Sequence, residues 1–94
     1  MEYDLRIYEM KAGELDAFVS EWREHVLPLR RAAGFDVLGA WRTDDDRFVW
    51  LLGYNGDFSK ADAAYYESQA RTKLDPDPAR HLAHTEHVRM HSVL

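Results

Sequence analysis

Leu5 and Ile7 alternate with Arg6 and Tyr8 between residues 3 and 10, the period of two that a strand imposes because successive side chains point to opposite faces. Gly13 ends that run. Leu15, Phe18, Val19, Trp22, Val26, Leu29 and Ala33 then recur at helical spacing, within an arc of about 100°. Pro28 falls inside this stripe, has no N–H to donate and crowds the Glu24 carbonyl, so the spacing predicts a helix that bends there and continues to Gly34. Leu27 falls off the stripe, either simply exposed or covered by a partner. Phe35 to Arg42 and Arg47 to Tyr54 are rich in aromatic and branched residues and read as a hairpin turning at Thr43-Asp44-Asp45-Asp46. Asn55-Gly56-Asp57 closes the hairpin. Ser59 with Asp62 then resembles an N-cap pair opening a second helix through about Lys73, with a weak stripe of Ala61, Ala64 and Tyr65. Asp75-Pro76-Asp77-Pro78 interrupts the chain, and Asp77 as N-cap with Pro78 at the first helical position predicts a short turn through Ala83. From Thr85 to Val93, Val88 and Met90 alternate with His87, Arg89 and His91, predicting a fourth strand.

The order β-α-β-β-α-β is that of an α+β, ferredoxin-like domain: a four-stranded antiparallel sheet of order 4-1-3-2 with both helices on one face. Residues 1 to 94 form one domain on this reading. The Leu5/Ile7, Val49/Leu51 and Val88/Met90 sides suit the face that meets the helices. The other face then carries Arg6, Tyr8, Phe48, Trp50, Leu52, Tyr54, His87, Arg89 and His91. A sheet face so rich in aromatic residues is too apolar to remain wet, which predicts that a second chain covers it.

Composition narrows the function. The 94 residues are 46% hydrophobic and 31% charged, enough to bury a core and unlike a disordered chain. Seventeen Asp and Glu outnumber twelve Lys and Arg, which disfavours nucleic acid as a partner. The absence of cysteine removes disulfides, thiolate nucleophiles and cysteine-based metal sites. No apolar run has the length of a membrane span and the N-terminus lacks the pattern of a leader, so the expected setting is cytoplasmic, with no membrane partner.

Several short motifs follow one another along this pattern: Tyr3-x-Leu5-Arg6-x-Tyr8, then Gly13, then His25-x-x-Pro28-Leu29 running into Gly34-Phe35, then Gly39-x-Trp41. In their order and spacing they resemble the NIPSNAP family of the dimeric α+β barrel superfamily. The third strand departs from that pattern. Where the family tends to have a His-Leu-Trp-x-Tyr run, this chain has Trp50-Leu51-Leu52-Gly53-Tyr54, so any role of that histidine in relatives does not transfer. The resemblance implies a homodimer with two sheets packed face to face and a cavity beside each. The superfamily includes cofactor-free monooxygenases, lactone isomerases and polyketide cyclases, among which fold does not choose.

Four histidines lie between His81 and His91. On a strand, side chains four residues apart stand about 13 Å from each other, too far to share an ion whose bonds to nitrogen are about 2 Å. No metal is therefore expected, and no cofactor. His87 shares a face with Arg6, Tyr8 and Arg89, and the first and fourth strands should pair. An imidazole moves protons near neutrality, a guanidinium holds a carboxylate or enolate, and a phenol donates to an oxyanion. These four are the candidate catalytic residues, with His87 as the base or acid. Phe48, Trp50, Tyr54 and His91 are candidates for the wall of a pocket. The plainer alternatives are that Arg6 pairs with Asp4 or Glu86, that Tyr8 only packs, and that the aromatic residues are core. His25 reads as a packing or capping residue near the bend; His81, His84 and the Asp44-Asp45-Asp46 run read as solvated. The functional expectation is a homodimeric barrel enzyme acting by proton transfer on a hydrophobic carbonyl or polyketide-like molecule. The competing expectation is a non-catalytic, small-molecule-binding or stress-related module.

Overall fold

The alternating N-terminal run forms β1 (Glu2–Met10) in the interior of a four-stranded sheet, flanked by β3 (Arg47–Tyr54) and β4 (Leu82–His91), with β2 (Asp36–Arg42) on the far side of β3. The computed structural model describes all 94 residues. The order β2-β3-β1-β4, with every pair antiparallel, is the one the element order predicts. Helices α1 (Leu15–Glu21), α2 (Leu27–Ala32), α3 (Phe58–Glu67) and α4 (Gln69–Thr72) complete the chain, with a 3-10 turn over Pro78–His81.

The first helical segment is unbroken from Leu15 to Ala32, but Trp22–Val26 forms a π turn immediately before Pro28. The proline has no N–H for a carbonyl one turn back, and a wider turn is one way to absorb that loss. It also changes direction. Four α-helical residues overshoot a full turn by about 40°, whereas the wider turn pulls back, so Trp22, Val26 and Arg30 all face inward and are buried.

The faces of the sheet are the reverse of the expectation from the alternation. Asp4, Arg6, Tyr8, Phe48, Trp50 and Leu52 lie under the helices and are buried. Leu5, Ile7, Val49, Leu51 and Met90 are on the open side and partly exposed, and Val88 there is 45% exposed. The register explains why one face goes as a unit: Arg6 pairs with Trp50 on one side and His87 on the other. The physical reason for the reversal is pairing. Arg6 and Asp4 read as solvent residues singly, but they bond each other at 2.9 Å and can be buried together. The large rings of Tyr8, Phe48 and Trp50 then fill the space beneath Phe18 and Trp22.

The Gly39-x-Trp41 motif serves the open face. A Cβ on Gly39 would collide with the Trp41 indole, so the glycine lets that ring lie flat along β2. Leu27 is partly buried against the core. The second helix starts earlier than Ser59: Asp57 is its N-cap, accepting from the Lys60 N–H at 3.1 Å. It also stops sooner, at Ser68, whose hydroxyl caps the separate turn α4 through the Arg71 N–H. Asp77 caps the 3-10 turn as expected, accepting from Ala79 N–H at 2.9 Å. No helix is long and apolar enough to cross a membrane.

Candidate functional site between helices and sheet

Four of the eighteen buried residues carry a carboxylate, guanidinium or imidazole: Asp4, Arg6, Arg30 and His81. Such groups are rarely buried without partners, so each one asks where its hydrogen bonds go. Arg6 answers fully. Its Nε donates to Asp4 at 2.9 Å, Nη1 to the Tyr66 hydroxyl at 3.1 Å and Nη2 to Asp62 at 3.0 Å. Burial opposes the Arg6 charge, but Tyr8, Tyr66, Asp62 and Asp4 more than offset it and hold the guanidinium protonated above its ordinary range. The plainer reading of Arg6, a pair with Asp4, is therefore part of the structure. Arg89 donates to the other oxygen of Asp4 at 3.3 Å and lies over the Phe58 ring at 4.2 Å.

Arg30 closes the other end of this chain of charges and is left incomplete. Its Nη1 lies 2.7 Å from Asp62, yet the N–H does not point along that line, and none of Nε, Nη1 and Nη2 has an aligned acceptor. The guanidinium instead lies 3.7 Å from the centre of the Tyr65 ring and 4.7 Å from that of Phe35. The indole N–H of Trp22 and the Tyr65 hydroxyl are also buried without partners, and the Trp50 indole N–H reaches only the Tyr8 phenol, to which it is not well aligned.

These four residues line one cavity. It has a volume of about 70 Å³, opens between the helices and the 3-10 turn, and also has Tyr8, Tyr66, Arg71, Pro78 and Leu82 in its wall. Nine of its twelve lining residues are hydrophobic, the mixture of apolar wall and few convergent polar groups that small-molecule sites show. Burial raises the pKa of both the Tyr8 and Tyr65 phenols, against the lowering pull of Arg6 on Tyr8 and of Arg30 on Tyr65. Both stay protonated at neutral pH and act as donors. The charged and indole groups of the wall are all donors, and its only side-chain acceptors are the phenol oxygens of Tyr8, Tyr65 and Tyr66.

The residues singled out from the sequence fall in different places. Tyr8 and Trp50 are in the cavity wall. Arg6 lies in the buried charge chain, and Phe48 is core, against Tyr8, Phe18 and Trp22. His87 is on the edge strand with its side chain 44% exposed, Nδ1 3.6 Å from Asp4 and its ring 6.5 Å from that of Tyr8. Burial and then Arg6 lower its pKa against the pull of Asp4 and Asp62, so it is neutral at pH 7. His87 and Arg89 are brought together at Asp4 but are not part of the cavity wall. Tyr54 packs on Phe35 at 5.0 Å and His91 is exposed at the end of β4; neither lines the cavity. His25 is on the π turn, half-exposed beside Glu24. His84 and Asp44 to Asp46 are exposed as expected.

His81 is a correction. It is buried, with Nδ1 2.7 Å from Glu14 and Nε2 2.6 Å from Glu21, because the 3-10 turn carries it in against α1. No group of three or more His, Asp and Glu side chains is gathered so as to hold a metal ion.

Sheet order, helical layer and recess together define an α+β ferredoxin-like domain with a recess of about 70 Å³ between its layers. The chain belongs to the NIPSNAP family, whose model matches residues 3–55. An uncharacterised NIPSNAP domain protein from Burkholderia xenovorans is similar at 22% identity and a TM-score of 0.79, over 98% of this chain and 94% of that one. A NIPSNAP family protein from Agrobacterium tumefaciens superposes with a TM-score of 0.84 at 17% identity, over 95% and 90% of the two chains. A candidate antibiotic biosynthesis monooxygenase from Nitrosomonas europaea superposes with a TM-score of 0.75 at 21% identity over all of both chains. At these identities the likeness is one of fold. No curated protein matches the chain.

Proposed function

We propose that this protein binds a small hydrophobic carbonyl or enol compound in the cavity between helices and sheet and moves a proton on it with its own side chains. The reaction would be an isomerisation or a cyclisation or, with dioxygen as the oxidant and oxygen source, an oxygenation of the activated molecule. One observation carries the reading: Trp22, Trp50, Tyr65 and Arg30 present buried donors without an aligned acceptor to a single apolar recess, Arg30 keeping its ion pair with Asp62 and Trp50 only a poorly aligned contact with Tyr8. A buried donor left unsatisfied costs about 1–3 kcal/mol, so a fold that keeps four in one place is arranged for an acceptor it does not itself contain. An oxygen on which negative charge develops is stabilised most by donors already in position. Tyr8 is the proton donor to that oxygen, and His87, neutral at pH 7 and behind Tyr8 with its ring 6.5 Å from that of the tyrosine, is the candidate base. The likeness in fold to a candidate monooxygenase is compatible with this chemistry and does not select it.

A second reading, binding without catalysis, is favoured by the position of His87 outside the wall. Proton exchange separates the two. Small hydrophobic ketones and 1,3-diketones incubated with the protein in D2O should lose their α-protons, followed by NMR. His87→Ala should slow that exchange at least about a hundredfold, the usual worth of a general base. The control is the exposed His84→Ala, which should leave it unchanged. No catalysed exchange of any such compound, or equal rates for both variants, would leave the binding module as the function.

The open face of the sheet fits a second copy of this chain. Leu5, Ile7, Val49 and Leu51 at its centre are flanked by Val88 and Trp41, 45% and 54% exposed. Four strands about 4.8 Å apart and about eight residues long give roughly 500 Å² in projection, of the order each partner contributes to a stable interface. The dimer predicted from the sequence is thus proposed through the opposite set of residues. Light scattering should give twice the chain mass for the wild type and a monomer for Leu51→Glu. A wild-type monomer at micromolar concentration would refute the pairing.

A further inference from the structure

We infer that the recess selects an anionic ligand, a small monocarboxylate whose charged end docks on Arg30. The inference rests on the reading of the cavity as the ligand site and adds the chemical class of the ligand. Three features of the site converge on it.

The first is the sign of every polar group in the wall. Arg30 and Arg71 are its only charged residues, and no carboxylate is among them. Arg71 is already engaged, donating to Asp77 at 3.0 Å, whereas Arg30 has three nitrogens without an aligned acceptor. The second is the donor count. Trp22 and Trp50 offer N–H groups that can only donate, Tyr65 is held protonated, and Arg30 offers a planar fork. The occupant that satisfies such a set is acceptor-only, and an ionised carboxylate has two oxygens with about four lone-pair sites. A carbonyl oxygen alone offers two, so a ligand that also carries a carboxylate satisfies more of the donors; a carboxylate also matches the guanidinium fork in shape.

The third feature is the charge chain behind Arg30. Glu2, Arg89, Asp4, Arg6, Asp62 and Arg30 follow one another in alternating sign, each within 4.0 Å of the next. Asp62 is shared by Arg6 and Arg30, so at the cavity end two guanidiniums divide one carboxylate. A ligand carboxylate would supply the missing member. The rest of the wall excludes heavily hydrated anions: with aromatic rings from Tyr8, Phe18, Trp22, Trp50 and Tyr65 around the space, desolvating a phosphate dianion would cost far more than desolvating a monoanion with an apolar body.

Titration of the nitrogen-15-labelled protein with benzoate, cyclohexanecarboxylate and the neutral isostere benzamide, followed by NMR of the indole N–H groups, tests this directly. Benzoate or cyclohexanecarboxylate at millimolar concentration should shift the Trp22 and Trp50 indole signals saturably and leave Trp41 unmoved. Benzamide should bind at least about tenfold more weakly, and Arg30→Met should weaken carboxylate binding at least as much while leaving benzamide unchanged, since a charge-assisted pair is lost. Arg30→Lys, which keeps the charge and loses the fork, should fall between and serves if Arg30→Met is poorly folded. Benzamide binding as tightly as benzoate, no saturable shift with either carboxylate, or unchanged binding in the Arg30 variants would overturn the inference. Carboxylate binding without any proton exchange on ketones would instead sink the proposed reaction and leave the anion site standing.

Discussion

The two buried ionic clusters use similar residues and are built in opposite ways. Around His81 every donor is matched: Nδ1 meets Glu14, Nε2 meets Glu21, and Arg80 grips the same Glu21 at 2.7 and 2.9 Å. The partners are 60 and 67 residues apart in sequence, so the cluster fastens the 3-10 turn before β4 onto α1. The chain through Asp4, Arg6 and Asp62 is as complete at its centre, but at Arg30 it stops with donors unused. A closed cluster holds a fold together. An open end inside an apolar recess raises the energy of the empty protein and lowers it again when a complementary ligand arrives, which is how binding energy is stored in a rigid site. The comparison therefore assigns His81 to architecture and Arg30 to recognition.

Breaking the closed centre should have the largest effect. Arg6→Met removes the shorter of the two guanidinium contacts of Asp4, which is 2% exposed and is left with Arg89 at 3.3 Å, and also one of the two cations on Asp62. Removing one side of a buried pair usually costs about 3–5 kcal/mol, so urea denaturation should show a loss of that size or a failure to fold. A loss below about 1 kcal/mol, the range of surface pairs, would mean that the centre of the chain is not closed in solution.

The His81 cluster should show itself as a dependence of stability on pH. Its hydrogen bond to Glu21 raises the His81 pKa above 6.5, aided by Glu14 and opposed by burial. Arg80 and then His81 lower that of Glu21 below 4.5, also against burial. A raised histidine contributes fully below its unfolded value and its contribution fades as pH climbs through the folded one. A lowered carboxyl contributes above its unfolded value and fades as pH falls through the folded one. The cluster is thus worth most between about pH 4.5 and 6.5, the ordinary values of the two groups. Stability should decline above that window, and His81→Gln should flatten the decline. An unchanged alkaline slope in His81→Gln would place the source elsewhere.

Much of the fold was legible because it follows from periods and punctuation: the element order, the hairpin, the strand order and the Asp77-Pro78 turn are all set by local sequence. The motifs Tyr3-x-Leu5-Arg6-x-Tyr8 through Gly39-x-Trp41 fall within the 3–55 family match. Which face of the sheet met the helices was not legible. Both faces alternate cleanly and both are apolar enough to be covered, and the deciding fact, that Asp4 and Arg6 neutralise each other two residues apart on one face, makes two polar letters behave as a buried unit. Tyr8 and Trp50, candidates by their place on an aromatic-rich sheet face, line the recess under the helices, although the alternation assigned that face to a second chain. Arg30 was missed. Its signal was present, for it stands four residues after Val26 and eight after Trp22 on the apolar side of the helix, where an arginine is out of character. Tyr65, Asp62 and Tyr66 reach the site from a helix whose apolar stripe is weak: spacing marks Tyr65 as a core residue and Asp62 as part of a cap, and nothing marks Tyr66.

The sharpest test of the comparison has the smallest expected effect on stability. Arg30→Met removes as large and as buried a cation as Arg6→Met, so a view that counts only burial predicts equal damage. The pattern of hydrogen bonds predicts otherwise. Asp62 keeps its bond from Arg6 Nη2 and is 21% exposed, so no buried charge is stranded. Three unsatisfied nitrogens are deleted with the guanidinium, and replacing a poorly satisfied buried cation by an apolar side chain of similar reach is often neutral or stabilising. Against this stands the lost stacking on Tyr65 and Phe35, worth about 0.5–2 kcal/mol for a cation over an aromatic face. The two roughly cancel, and the stability of Arg30→Met should lie within about 1 kcal/mol of the wild type, measured in the same urea series as Arg6→Met. A loss as large as that of Arg6→Met would show that Arg30 is a closed structural member, and the distinction between an architectural and a recognition cluster would fail with it.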